Sequence, residues 1–206
     1  MREIALHLLD IAENSTAAEA GSVTVSVRED LAGDRLSASV RDDGRGMDAA
    51  LAACVSDPFT TSRTTRKVGL GIPLLKAAAE ACCGGLELET APGQGTTLRV
   101  WFQHSHIDRM PLGDLASTWL TLLIAHPQVH WVFEYGADLP GELSPVDFRF
   151  DDRELKEALG DLPLTEPEVL RYLRESLEAG EAQVREAVAA RAGIFSALET
   201  ETSSGR

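Results

Sequence analysis

Residues 22–28, Ser-Val-Thr-Val-Ser-Val-Arg, alternate polar and apolar side chains, and residues 35–42, Arg-Leu-Ser-Ala-Ser-Val-Arg-Asp, resume the alternation after a short turn, Glu-Asp-Leu-Ala-Gly-Asp. A period of two puts one set of side chains on a core face and the other in water. A turn of that length admits a hairpin, whereas a parallel crossover needs a dozen or more residues. The pattern returns at 86–90 and 96–102, joined by Ala-Pro-Gly-Gln-Gly. Helical spacing fills the gaps. Ile4, Leu8 and Ile11 recur in a run over 3–20 that Gly21 ends, Asp48 caps a short helix over 49–55, and residues 71–83 form another helix before Gly84-Gly85. The first half therefore predicts an α/β fold: a two-layer sandwich with a mixed, largely antiparallel sheet and helices on one face.

A second, small α+β unit is expected from His104. Residues 112–126 read as a helix, 129–135 and 146–150 as strands, and Asp151 or Asp152 caps a helix ending at Gly160. Thr165 and Glu168 have capping-box spacing around Pro167. The pattern predicts a helix over 166–179 that stops at Gly180, a further helix over 181–192, and a frayed tail over 201–206. Trp119, Trp131, Phe133, Tyr135, Phe148 and Phe150 are the candidate core of this half. The expected division is 1–103, 104–200 and the tail.

Charge narrows the function. The formal net charge of −14 would repel nucleic acid and anionic membrane surfaces, and most of the excess acid lies after residue 103. The N-terminus carries charges at Arg2, Glu3, Asp10 and Glu13, unlike the apolar core of a signal peptide. The longest uncharged run, Leu115–Phe133, is interrupted by His126, Pro127, Gln128 and His130 and reads as helix, turn and strand. Three cysteines, Cys54, Cys82 and Cys83, lack disulfide or zinc spacing and are expected to be reduced thiols in a cytoplasmic protein. His104, His106 and Asp108 are metal-capable residue types, but a linker with polar contacts is the simpler reading.

Four motifs carry chemistry. Asp10 and Asn14 lie one helical turn apart; the amide oxygen suits Mg²⁺, and the carboxylate can orient a nucleophile or accept its proton. Asp42-Asp-Gly44-Arg-Gly46-Met47 lets backbone approach a flat ligand closely, with Asp42 placed to accept from an exocyclic amine. Between Asp57 and Glu80 this acidic chain has no carboxylate but carries Arg63, Arg66, Lys67 and Lys76. That stretch runs into Gly69-Leu70-Gly71 before a helix, whose N-terminus favours phosphate. The fourth motif is the turn Gly93-Gln-Gly95-Thr96-Thr97. Each motif alone is an ordinary turn or a helix's wet face.

Their order and spacing together resemble the GHKL superfamily, the Bergerat-fold ATPases shared by gyrase, the ninety-kilodalton heat-shock chaperone, histidine kinases and MutL. Asn14 matches the N box, Asp42, Gly44 and Gly46 the G1 box with Met47 following, and Phe59 the F box. Gly69, Leu70 and Gly71 match the G2 box, and Gly93, Gly95 and Thr96 the G3 box. The resemblance covers residues 1–103. It implies ATP with Mg²⁺ as cofactor, Asp42 on the adenine amine with Gly46 and Thr96 or Thr97 assisting, Asn14 holding the metal, and residues 60–68 as a lid. Thr60, Thr61, Arg63, Arg66 and Lys67 are its candidate phosphate contacts. The whole chain also resembles small bacterial members of the group that carry a Ser-His-Ile-Asp-Arg and Pro-Leu-Gly-Asp extension and lie near iron-hydrogenase genes.

Two departures shape the functional expectation. A histidine kinase normally carries a dimerising helical pair with its phosphoacceptor ahead of the N box, whereas Asp10 is already in the first helix; His7 on that helix is expected to pack. Asp10 also stands where ATPase branches often place a Glu general base, and Ala17 where a second Asp would stand. Asp is shorter by about 1.5 Å, and a misplacement of about 1 Å can cost roughly 100-fold in rate. Tight ATP binding with slow hydrolysis follows. The resemblance points first to a regulatory kinase acting in trans on Ser, Thr or His of an unidentified protein partner. An ATP-gated switch and a non-catalytic nucleotide sensor are the alternatives, and self-association as a homodimer is open.

Overall fold

The computed structural model describes residues 3–56, 71–142 and 144–203. In chain order the elements are α1 (Ile4–Ala17), β1 (Ser22–Asp30), β2 (Arg35–Asp42), α2 (Ala49–Ser56), α3 (Gly71–Ala81), β3 (Gly85–Thr90) and β4 (Thr96–Gln103). There follow α4 (Leu115–Ala125), β5 (His130–Asp138), β6 (Val146–Asp151), α5 (Asp152–Leu159) and α6 (Pro167–Ser203). The strands form one six-stranded sheet in the order β3-β4-β2-β1-β5-β6. Among the described residues only β1 and β5 pair in parallel, with Val25 opposite Phe133; α4 lies in the crossover that a parallel pair requires. The other pairs are antiparallel, as short connections dictate for β1–β2, β3–β4 and β5–β6 and as packing decides for β2–β4.

Alternation sorts the faces as predicted. Val23, Val25 and Val27 of β1, Leu36, Ala38 and Val40 of β2, and Leu98, Val100 and Phe102 of β4 are buried. Helices cover that face, with α3 against β3 and β4, α1 against β1 and β2, and α6 against β5 and β6; α4 lies between α1 and α6. The opposite face carries Ser26, Ser37, Ser39, Arg28, Arg99 and Arg149, the half-wet side expected of a sheet covered once.

The strands after residue 104 extend the first-half sheet instead of forming one of their own. Their core is the aromatic set anticipated from sequence: Trp119 stacks on Phe133 at 5.2 Å between centroids, and Phe133 continues to Trp131 at 5.8 Å and Phe150 at 6.3 Å. Each such ring contributes about 1.5–3 kcal/mol of transfer free energy.

Two caps agree with the sequence: Asp48 accepts from Leu51 N at 2.8 Å and Asp151 from Arg153 N at 3.2 Å. Asp114, inside the helix expected over 112–126, instead caps α4 by accepting from Ser117 N at 2.8 Å. Gly180 departs from it, because α6 runs unbroken through that residue and on to Ser203, into the segment expected to fray. A Cβ at Gly180 would collide with the Phe148 ring. The glycine therefore serves helix–sheet contact, not helix termination.

The segment 111–114 joins three helices. Pro111 O and Leu112 O accept the Ile4 and Ala5 amides at 3.0 and 2.8 Å, satisfying donors at the start of α1. Glu181 of α6, itself buried, accepts from Leu115 N at 3.3 Å and Ala116 N at 2.7 Å at the start of α4. Arg185 bonds both Glu181, at 2.7 Å, and Gly113 O.

Candidate functional site

Between α1, the loop after β2 and the β3–β4 turn lies a cavity of about 250 Å³. Its walls are apolar, including Ile11, Val40, Ile72, Leu88 and Leu98, and at its back stands the Asp42 carboxyl group. A flat heteroaromatic ligand needs that combination: apolar faces for its rings and one placed polar group for orientation. Asp42 is buried, at 8 % exposure. Its Oδ1 accepts from Gly44 N at 3.0 Å and Thr96 N at 3.1 Å, and its Oδ2 from Ser15 Oγ at 2.7 Å.

Backbone geometry explains the glycines. Gly46 and Gly95 have φ of 64° and 76°, the left-handed region, and a Cβ on either would strike backbone: Ala91 O from Gly46, Asp42 O from Gly95. The two loops can thus lie directly on one another. Gly93 N bonds Arg45 O at 2.7 Å, and Thr90 Oγ1 accepts from Met47 N at 2.9 Å while donating to Gly95 O at 3.0 Å. The Asp42 loop and the Gly93–Thr96 turn form one rigid rim.

On α1, Asn14 is exposed and lines the cavity. Its Nδ2 donates to Asp10 O at 2.8 Å, so Oδ1 remains as a hard oxygen donor of the kind Mg²⁺ takes. One turn earlier, the Asp10 carboxylate packs against Gly71, where any Cβ would meet it. Asp10 is therefore at the start of α3, where helix N–H groups favour an anion. His7, buried beneath it, has no hydrogen-bond partner for Nδ1 among the described residues. Burial pushes its pKa below the usual histidine value, against the opposing pull of Asp10 and the Gly71 backbone.

The fold thus gathers Asp10, Asn14, Asp42, Gly44, Gly46, Met47, Gly71 and Thr96 around one cavity and its mouth. Thr97 goes elsewhere. Strand alternation puts it on the open face opposite Arg41, and of the two threonines only Thr96 lines the cavity. Phe59, Thr60, Thr61, Arg63, Arg66, Lys67, Gly69 and Leu70, with the lid expected over 60–68, lie outside the described residues.

Sequence reasoning missed Ser15, Thr90 and the apolar walls. Ser15 had a readable signal: it follows Leu8 and Ile11 at the spacing of the apolar stripe, where a hydroxyl must find a buried partner. The metal-capable residues His104, His106 and Asp108 do not converge. His104 Nε2 bonds Glu29 Oε2 at 2.6 Å, and His106 Nδ1 accepts from Asp108 N at 3.2 Å. His130, Asp151 and Asp152 do bring ligand atoms within 4.8 Å of one another. There Lys156 lies 2.6 Å from Asp152 Oδ2 and Arg149 3.1 Å from Asp151 Oδ2, so cations already balance the carboxylates.

Residues 1–106 match the family described as histidine kinase-, DNA gyrase B- and HSP90-like ATPases. The chain belongs to that family. Among curated relatives of this family member, the non-motile and phage-resistance protein of Caulobacter vibrioides is 36 % identical over 124 residues. That alignment takes in 57 % of this chain and 15 % of the relative. The cell-division control histidine kinase PdhS of Brucella abortus is 31 % identical over 120 residues, 52 % of this chain and 11 % of the relative. This chain therefore spans only a small part of the length of the relatives it matches. Among solved structures, the Aquifex aeolicus MutL ATPase domain complexed with ADP aligns with a TM-score of 0.44 at 14 % identity, over 65 % of this chain and 60 % of that one. Among the described residues of this family member, no helix is long and apolar enough to cross a membrane, and its three cysteines are free.

Proposed function

We propose that this ATPase-family protein binds Mg·ATP and acts as a regulator of a partner protein, with transfer of the γ-phosphate to that partner in trans as its reaction. The observation that carries the nucleotide reading is the Asp42 carboxyl group, fixed by three donors at the back of an apolar cavity. A free acceptor in that position suits the exocyclic amine of adenine. Asn14 Oδ1 would hold Mg²⁺, which when bound offsets phosphate charge. Asp10, at the start of α3, would orient the attacking group and take its proton. Histidine kinases among the relatives favour transfer to protein over transfer to water. The test is calorimetric titration with Mg·ATP, followed by incubation with γ-labelled ATP and proteins recovered with the chain from its host. Absence of ATP binding would overturn the nucleotide reading. Binding without label on any recovered protein would overturn the transfer step.

A second reading is favoured by the junction at 111–114. The N-box helix hangs from the Pro111 and Leu112 carbonyls, and α6 grips the next carbonyl, that of Gly113, through Arg185. Nucleotide closure on α1 would then be felt at α6 without group transfer. Solution scattering with ATP and with ADP tests this; identical profiles would rule the switch out.

A further inference from the structure

We propose that Ser15 is a positioning residue that sets the preference of the site for a 6-aminopurine over a 6-oxopurine. This rests on the nucleotide reading above and deepens it. Ser15 is 4 % exposed, on the α1 face turned to the sheet. A serine within a helix commonly donates back to the carbonyl four residues earlier. Here that carbonyl, Ile11 O, is 3.4 Å away, while Asp42 Oδ2 is at 2.7 Å. The single hydroxyl proton therefore goes to Asp42. With Gly44 N and Thr96 N on Oδ1, the carboxyl group is pinned from both ends and cannot turn about its terminal bond without breaking a bond.

Pinning matters because a carboxylate has two ways to meet a purine. It can accept from the exocyclic amine of adenine, or it can shift and accept from the ring N1–H of hypoxanthine or guanine. Ser15 holds the first arrangement and leaves the 6-oxo group of the second facing an acceptor. An unpaired acceptor in a buried site is costly, which is where discrimination arises. Ser15 immediately follows Asn14, so one helix places the metal donor and the base selector in consecutive positions.

The experiment is titration of the full chain and its Ser15→Ala and Ser15→Cys variants with Mg·ATP and Mg·ITP, with a melting curve for each. The wild type should prefer ATP. Ser15→Ala should bind ATP about tenfold to a hundredfold more weakly while ITP binding holds or improves, so that the ratio collapses. Ser15→Cys, similar in size but a weak donor, should fall between. If ATP and ITP weaken together, or neither changes, Ser15 is only structural and the proposal fails while the nucleotide reading stands. If the wild type binds neither nucleotide, the nucleotide reading fails first.

Discussion

In the proposed reaction Asp10 is the residue on which turnover would hinge. Its carboxylate reaches the start of α3, but on a side chain one methylene shorter than the Glu usual at that position of the family resemblance. We expect Asp10→Glu to raise the rate of Mg·ATP hydrolysis, by up to roughly 100-fold if reach alone limits it, and Asp10→Asn to abolish what remains. Steady-state phosphate release measures both. A Glu variant no faster than wild type would show that geometry at this position is not limiting. Asp42 illustrates how far residues can be read singly. Its carboxyl group and the glycines around it were legible as a motif. The burial of the Ser15 hydroxyl was readable from the apolar stripe, but its partner was not, because that partner lies 27 positions away in sequence.

At the scale of elements, α6 gives two expectations. Gly180→Ala gains about 1 kcal/mol of helix propensity but drives a methyl into Phe148, and overpacking of that kind costs about 1–3 kcal/mol. The variant should be destabilised in denaturant unfolding. Adding Phe148→Ala should make the Gly180→Ala step neutral or favourable, which a double-mutant cycle reads directly. Glu181 supplements the Asp114 cap of α4 by taking the Leu115 and Ala116 amides. Glu181→Ala would strand the buried Leu115 and Ala116 amides and release Arg185, at a cost of about 2–4 kcal/mol. A loss below about 0.5 kcal/mol would mean that water replaces the carboxylate.

The whole molecule should lose stability in acid in separable phases. His7 has a folded pKa below its unfolded value of about 6.5. The unfolded state therefore takes up its proton first, and the stability that His7 lends is full above about pH 6.5 and fades as pH falls through the folded value. His7→Leu should flatten the decline in Tm between about pH 7 and pH 5. Glu29 follows the carboxylate rule. Burial alone would raise its pKa, but hydrogen bonds from His104 and Tyr135 outweigh burial and hold it below the usual range. Asp151 is held at about 2, chiefly by its hydrogen bond with His130. Both contributions are complete above the unfolded values of about 4 and are lost as pH falls through the lower folded values, about 2 for Asp151. Asp151→Asn should remove part of that lower phase while keeping an acceptor at the start of α5. A melting profile unchanged by either substitution would assign acid sensitivity to other groups.

Local signals determined most elements. Alternation named the strands, short turns made the hairpins antiparallel, and Asp48 and Asp151 began their helices because a cap needs only neighbours within three residues. Motif order likewise determined the family, since each box is a local backbone device. Contacts between distant segments decided the rest. Gly180 could not be read as the seat of Phe148, nor Thr96 as the neighbour of Asp42 before the β2–β4 register was set. The joining of β5 to β1, which merges both halves into one sheet, depends on which buried edge is free. Propensity and spacing act within a few residues; burial, register and close approach are properties of the packed molecule, and only the tertiary structure supplies them.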